Sequence, residues 1–311
     1  MDRPSPPRSP PPPKATPNSP AATPLGPGPS CLLCGTRGPE QRSASHPAGS
    51  SDIVYICPFC RAEAARSPQP VPHYTTIREL GRGGMGVVYL ARHNSSGRVV
   101  ALKLIVPEAA AASTAIDRFL REVDVMSQLK HPNIVECLEH GFDHGQFWFA
   151  MEYIAGRNVD VLARREPNRY PIDQACRLTY QVLKGLEHAH GLGIVHRDIK
   201  PENILIGETA KGHMAKITDF GLAKSYMAVG LGGLTFTGEM RGTVPFLPPE
   251  QILEFKTVQP SADIYATAAT LYHLLTCAYP HDLHDDASEQ IRVLLEEPHV
   301  PIRARRPDVP P

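Results

Sequence analysis

Apolar and polar positions change rhythm along this 311-residue chain, and the changes mark its elements. From residue 74 the alternation is that of strands: 74–80, 86–92 and 98–105 read as an antiparallel run, with 94–97 turning the chain between the last two. Residues 113–130 then place Ile116, Phe119, Leu120, Val123 and Met126 at helical spacing, with Ser113 and Thr114 as capping candidates. Two more strands are predicted near 134–140 and 147–153, and beyond Gly156 the pattern turns mainly helical. The clearest helices are 173–191 and 261–276; the second is apolar nearly all round, as a buried helix should be. Strands first and helices after predict an α+β fold class of two lobes, a β-rich small lobe over 73–154 and a helical large lobe over 155–311.

The rhythm is missing at the N-terminus. Residues 1–30 carry 12 of the 33 prolines and almost no large apolar side chains, which predicts a disordered Pro-rich tail acting as a tether. Residues 31–60 hold four of the seven cysteines as Cys31-Leu-Leu-Cys34 and Cys57-Pro-Phe-Cys60, separated by 22 residues. Two such pairs can close a tetrahedral site, so a zinc-ribbon-like module with structural Zn²⁺ is expected, redox dithiols or a labile disulfide being the alternatives. Four thiolates leave no open position for catalysis. A strand is expected over 52–56, feeding the second pair, and a linker over 61–72. Cys137, Cys176 and Cys277 are solitary and are expected as small core residues.

Charge narrows the partners. The 32 basic and 32 acidic residues balance, so no bulk field favours nucleic acid or a membrane surface. Within 31–60 the strong bases are Arg37 and Arg42, a thin footprint for nucleic acid, so structural or protein-docking use is preferred for that module. No run of 18 apolar residues occurs and the start is not a basic-then-apolar leader, so a cytoplasmic protein without a membrane span is expected.

The chemistry concentrates at HRDIKPEN, 196–203, followed 16 residues later by DFG at 219–221. Asp198, Lys200, Asn203 and Asp219 put two acids, an amide and a cation in one loop–hairpin segment. That set suits holding Mg²⁺ and a phosphoryl group while orienting an attacking hydroxyl. Upstream, Gly81, Arg82, Gly83, Gly84, Met85, Gly86 and Val88 form a G-x-G-x-x-G-x-V loop, whose glycines let backbone approach phosphates. A dinucleotide-binding turn would need a helix next, whereas 87–90 reads as a strand. Lys103 is a lysine in an otherwise apolar strand and needs an anionic partner, for which Glu122 on the following helix is the candidate.

These motifs, in this order and with a P-P-E at 248–250, resemble the eukaryotic-like protein kinases; GRGGMGVVYLA, HPNIV and HRDIKPENIL are most similar to the bacterial Ser/Thr kinases. The resemblance covers roughly 74–300 and implies a bilobal kinase fold using ATP with Mg²⁺, or Mn²⁺ in its place. It implies that the glycine loop covers the phosphates and that Lys103, oriented by Glu122, grips them. Val88, Ala101 and Leu205 would line the adenine pocket, with Met151 as gatekeeper and 152–154, including Glu152 and Ile154, as hinge. Asp198 would accept the substrate hydroxyl's proton, Lys200 would steady the transferring phosphate, and Asn203 and Asp219 would hold the metal. Lys200 and Thr243 imply Ser/Thr hydroxyls of proteins as acceptors, and Arg197 implies an activation loop pinned by phosphate at Thr235 or Thr237.

Three departures from the family pattern stand out. Pro248 replaces the alanine of A-P-E. Ala268 stands where glycine usually follows Asp263, which is expected to tighten packing round the catalytic loop. Kinases of this type continue past a segment such as 301–311, adding helices and an arginine for the residue matching Glu250. The last helices are therefore expected to be missing, Glu250 to lack its partner, and the large lobe to expose apolar surface for a regulatory or scaffold partner; a nucleotide-binding scaffold with weak catalysis is the alternative reading.

Overall fold

The computed structural model describes residues 30–31, 33, 36–38, 55–66, 69–83, 86–105, 113–165, 170–209, 212–220, 244–253, 258–284 and 286–311. The chain divides into two units, Met1–Arg61 and Ala62–Pro311. In the first, Ser30 and Arg37 form an isolated antiparallel bridge, and the Cys31 N–H donates to Thr36 O at 2.8 Å. Helix α1 (Pro58–Ala64) opens on Pro58, where the missing N–H is no loss because a first-turn donor has no partner within the helix. Tyr55 and Ile56 are not strand, and the rest of the strand expected over 52–56 lies outside the described residues, as does the expected tail over 1–29.

In the second unit, the small lobe is a five-stranded antiparallel sheet in the order β1-β2-β3-β5-β4: β1 (Tyr74–Gly83), β2 (Gly86–His93), β3 (Val99–Ile105), β4 (Cys137–Asp143) and β5 (Gln146–Glu152). Alternation on β3 covers both faces. Val100, Leu102 and Leu104 join Val71, Tyr74, Ala91 and Ala150 on one side. On the other, Ile105, Phe147 and Phe149 pack against Phe119 and Val123 of α2 (Ser113–Ser127). Phe119 and Phe147 sit 4.2 Å apart between ring centroids, and each such ring contributes about 1.5–3 kcal/mol through burial. The end of the expected linker belongs to this lobe. Val71 is buried, Gln69 Oε1 accepts the Thr76 N–H at 2.6 Å, and Pro70 O accepts from Gln146 at 3.2 Å.

Two boundaries differ from expectation for a physical reason. Helix α2 stops at Ser127 rather than near 130, because Pro132 lies ahead and disfavours helical backbone before it. Strand β4 begins at Cys137 rather than at Ile134. Residues 133–135 are engaged elsewhere: the Ile217 N–H donates to Asn133 O at 2.9 Å and the Val135 N–H to Ile217 O at 2.8 Å.

The large lobe carries a three-stranded sheet, β6 (Gly156–Asn158), β7 (Ile204–Thr209) and β8 (Gly212–Ile217), beside α3 (Val159–Arg165) and α4 (Ile172–Gly191). Helices α5 (Pro249–Leu253), α6 (Pro260–Thr276), α7 (Ala287–Glu296) and the short α8 (Ile302–Arg305) follow. Leu178, Val182 and Leu186 recur at every fourth position of α4 and meet Ala266, Leu274 and Leu275 of α6 in the core, with Ile199, Ile204, Ile217 and Phe220 from the loop and strands that carry the motifs. Arg306 is buried beneath them and donates to Tyr170 O at 2.8 Å and Leu275 O at 3.1 Å, satisfying a carbonyl at the end of α6.

Three expectations are corrected here. Cys176 is exposed, because Ala175 and Leu178 take the inward face of α4, and Cys137 and Cys277 are half-buried rather than core. Ala268 is exposed on α6, so its methyl group does not press on the catalytic loop. Glu250 is exposed as well, so no buried charge is stranded there.

Candidate functional site

Residues 196–203 run from the end of α4 into β7 through a 3₁₀ turn at Pro201–Asn203. One carboxylate anchors their start. Asp263 of α6, only 1% exposed, accepts the His196 N–H on Oδ2 and the Arg197 N–H on Oδ1, both at 2.8 Å, and holds His190 Nε2 at 2.8 Å. Gln251 of α5 donates to Arg197 O at 2.7 Å. These anchors hold Arg197 at φ 70°, and Asp219 sits at φ 63°. A side chain in that left-handed region costs on the order of 1–3 kcal/mol, which surrounding contacts must offset. His196 is fully buried: its Nδ1 accepts the Asp198 N–H at 3.2 Å, so the Nε2–H donates to Thr218 O at 2.9 Å. Its ring meets Phe220 edge-on at 4.6 Å, tying the catalytic loop to the DFG segment.

Asp198 and Asn203 are buried at 8% and 7% exposure. Asn203 Nδ2 donates to Asp198 O at 2.8 Å and to Asp198 Oδ2 at 2.9 Å, and Lys200 Nζ lies 3.1 Å from the same Oδ2. The amide of Asn203 thus turns its donors on Asp198 and keeps its oxygen as an acceptor. Across the lobes, Lys103 Nζ donates to Asp219 Oδ1 at 2.7 Å, with the lysine side chain 6% exposed. The ion pair that satisfies this buried lysine is with Asp219, whereas sequence spacing pointed to Glu122. Glu122 is half-buried on α2, and its charge acts on Arg197. Burial pushes the Arg197 guanidinium below its ordinary range, while Asp263 and Glu122 push it back up. Arg197 Nη1 is buried with no hydrogen-bond partner among the described residues.

The glycine loop is the tip of the β1–β2 hairpin, with Gly81 facing Val88, Arg82 facing Val87 and Gly83 facing Gly86; Gly84 and Met85 lie outside the described residues. A strand follows the glycines, as the reading against a dinucleotide fold requires. Gly86 has φ 128°, and a Cβ there would sit 2.0 Å from Leu104 O, so only glycine fits. Ladder register puts Val88 opposite Lys103 and Met151 opposite Ala101, which gathers these four on one sheet face. Glu152 ends β5, Ile154 packs over Gly207 of β7, and Leu205 is two residues along that strand from Gly207. Val88, Ala101, Lys103 and Met151 thus share a sheet face, and Lys103 joins that face to Asp219 of the large lobe. The segment with Thr235, Thr237 and Thr243 lies outside the described residues.

Sequence reasoning missed Gln251, His190 and Lys216 as supports of this region. Lys216 carried the signal that singled out Lys103, a lone lysine in an apolar strand, and its position three residues before Asp219 should have drawn notice.

In the first unit, the sulfurs of Cys31, Cys57 and Cys60 lie within 4.8 Å of one another, all buried; Cys34 lies outside the described residues. The Cys57 N–H points at Cys31 Sγ at 3.3 Å and the Cys60 N–H at Cys57 Sγ at 3.5 Å. A tetrahedral zinc with sulfur at about 2.3 Å needs sulfurs roughly 3.8 Å apart, which this cluster accommodates.

A β-sheet lobe above a helical lobe, with a buried acid–amide–lysine loop meeting a strand lysine between them, defines the protein kinase fold. The family model for the protein kinase domain matches residues 74–306, and the chain belongs to that family. It is 36% identical over 234 residues to the serine/threonine-protein kinase pkn3 of Myxococcus xanthus, covering 74% of this chain and 42% of that one. It is 38% identical over 209 residues to the serine/threonine-protein kinase PknF of Mycobacterium tuberculosis, covering 67% of this chain and 43% of that one. The chain thus spans less than half the length of these curated relatives. Among solved structures, a single-site mutant of the Mycobacterium tuberculosis PknI kinase domain superposes with a TM-score of 0.58 at 29% identity, covering 76% of this chain and 82% of that one. No described helix is long and apolar enough to cross a membrane.

Proposed function

We propose that this chain transfers the γ-phosphoryl group of ATP to serine and threonine hydroxyls of proteins. The observation that carries the reading is the convergence of Asp198, Lys200 and Asn203 with the Lys103–Asp219 pair between the two lobes. Asn203 Oδ1 and the Asp219 carboxylate form an oxygen-only donor set suited to a hard cation. Mg²⁺ held there would supply charge neutralisation for the β- and γ-phosphates. Among the described residues Asp198 uses Oδ2 on Asn203 and Lys200, and its Oδ1 would orient an acceptor hydroxyl and take its proton. Lys200 is poised beside that oxygen to meet the negative charge of the moving phosphoryl group. Glu122 orients Lys103 in the competent arrangement, and adenine lies between Val88, Ala101 and Leu205 against the 152–154 hinge. Dependence on ATP suits a cytoplasmic location. A regulatory or scaffold partner would cover exposed apolar side chains such as Leu253, Ile264 and Leu295.

The test is incorporation of γ-phosphate from Mg-ATP into a generic protein acceptor with phosphoamino-acid analysis, beside thermal melting with and without Mg-ATP. Phosphoserine and phosphothreonine are expected together with a nucleotide-dependent rise in Tm. A rise without incorporation favours a nucleotide-binding scaffold instead.

Regulation follows from Arg197, whose buried Nη1 suits a phosphate on Thr235 or Thr237 placed by autophosphorylation. A Thr235→Ala/Thr237→Ala double variant keeping full activity and full phosphate incorporation refutes this. For the cysteine module, Cys31, Cys34, Cys57 and Cys60 would close a structural Zn²⁺ site whose binding free energy folds a segment with little core. One zinc per purified chain, lost in Cys57→Ala, is the expected result; full zinc content in that variant contradicts it.

A further inference from the structure

Lys216 of β8 is 8% exposed, and its charge is engaged away from the reacting centre. Its ammonium donates to Glu152 Oε1 at 2.5 Å and to Ile134 O at 3.2 Å. The same Glu152 oxygen accepts the Glu136 N–H at 2.9 Å, and the Glu152 N–H returns to Glu136 O at 3.0 Å. One carboxylate oxygen is thus shared by a lysine from the large lobe and a backbone amide from the small lobe. Asn133 strengthens the same junction, donating to Ala215 O at 2.9 Å and to Gln181 at 3.2 Å. The joint ties the last residue of β5 to β8 across the lobes.

Position gives this joint its consequence. Glu152 is the last residue of β5, so its bonded carboxylate sits at the point where the backbone leaves the sheet for the proposed hinge. Lys216 faces Leu205 across the β7–β8 ladder, and three residues further on the chain reaches Asp219. A rotation of Lys216 would therefore move the hinge relative to the floor beneath it. A buried lysine facing a half-buried carboxylate is a poor choice for stability alone, since apolar residues of similar volume fill such a site as well or better. A charge-assisted bond has a narrow distance and direction, which is what a positioning contact needs.

We propose that the Lys216–Glu152 ion pair is a positioning device that sets the hinge for adenine, so that it governs affinity for the base rather than the phosphoryl-transfer step. The proposal rests on the reading of the chain as an ATP-dependent kinase. Among the described residues Lys216 bonds Glu152 and Ile134 O rather than Asp198, and it acts through Glu152.

The test is steady-state kinetics of Lys216→Met and Lys216→Arg beside wild type, with adenosine and inorganic tripolyphosphate as competitive probes. Lys216→Met is expected to raise KM for ATP about tenfold with kcat within about twofold, and to weaken adenosine about tenfold while leaving tripolyphosphate unchanged. Lys216→Arg, which keeps the charge, should restore most of the loss. An unchanged KM, or equal weakening of both probes, overturns the proposal, because a merely structural lysine would lower Tm without discriminating base from phosphate. If Lys216→Met does not fold, Lys216→Gln is read by the same criteria. A wild-type chain that neither transfers phosphate nor gains Tm from Mg-ATP overturns the kinase reading itself.

Discussion

The two halves of the candidate site are held in different ways. The catalytic loop is anchored residue by residue: Asp263 takes two successive amides, Gln251 takes the next carbonyl, and His196 and Asn203 cross-link the loop to the DFG segment and to Asp198. On the small-lobe side, Lys103 reaches the other half through one ion pair with Asp219, and the glycine loop rests at the tip of a hairpin. In the proposed function, the end that handles the hydroxyl is thus built into the core of a lobe, while the end that handles phosphate meets it through the Lys103–Asp219 ion pair. Preorganisation matters most where a proton and an attacking atom must be aimed, and the end proposed for that task is the more heavily anchored one.

The largest effect should come from removing the anchor. Asp263→Ala strands two buried backbone N–H groups and His190, and should cost roughly 3–5 kcal/mol in denaturant unfolding, with phosphate transfer lost along with it. A loss below about 1 kcal/mol would mean that the loop holds its shape without α6. Lys103→Met should separate the halves more cleanly. Transfer is expected to fall about 10²–10³-fold, since one preorganised cation is lost, while the catalytic loop and the unfolding midpoint change little. A collapse in stability comparable to Asp263→Ala would show that the Lys103–Asp219 pair is structural. The smallest effect belongs to Ala268→Gly. On exposed helix surface it should cost about 1 kcal/mol from propensity alone and leave the rate unchanged. A change in rate would show that the position does constrain the loop.

Much of this was legible in the sequence because the motifs carry their own physics. The nearly continuous apolar run over 98–105 marked a strand, and helical spacing from Ile116 to Met126 marked α2. The residues of the HRD and DFG motifs pointed to the proposed chemistry by type and spacing. Partnership was less legible. Lys103 required an anion, but sequence distance cannot rank Glu122 against Asp219, since that choice depends on how α2 and the DFG backbone are oriented in space. Asp263 is 67 residues from His196, and no local pattern reports a side chain that caps a distant loop. Ala268 and Glu250 misled for the opposite reason: the family pattern made one a source of tight packing and the other a charge without its partner, but which way each side chain faces is decided by the helix it lies on. In the cysteine unit the spacing pointed to Cys31, Cys57 and Cys60, which do cluster, while the helix starting at Pro58 was hidden because 61–72 read only as a linker.

If Asp198 handles the acceptor hydroxyl within a loop whose shape does not depend on its charge, neutralising it should stop transfer and spare binding. Phosphate transfer from Mg-ATP to a protein acceptor should therefore be compared in the wild type and in Asp198→Asn, with Tm measured in the presence and absence of Mg-ATP. Transfer should fall about 10²–10⁴-fold while the nucleotide-dependent rise in Tm is retained. Transfer at the wild-type rate in a folded, nucleotide-binding Asp198→Asn chain would contradict this role for Asp198.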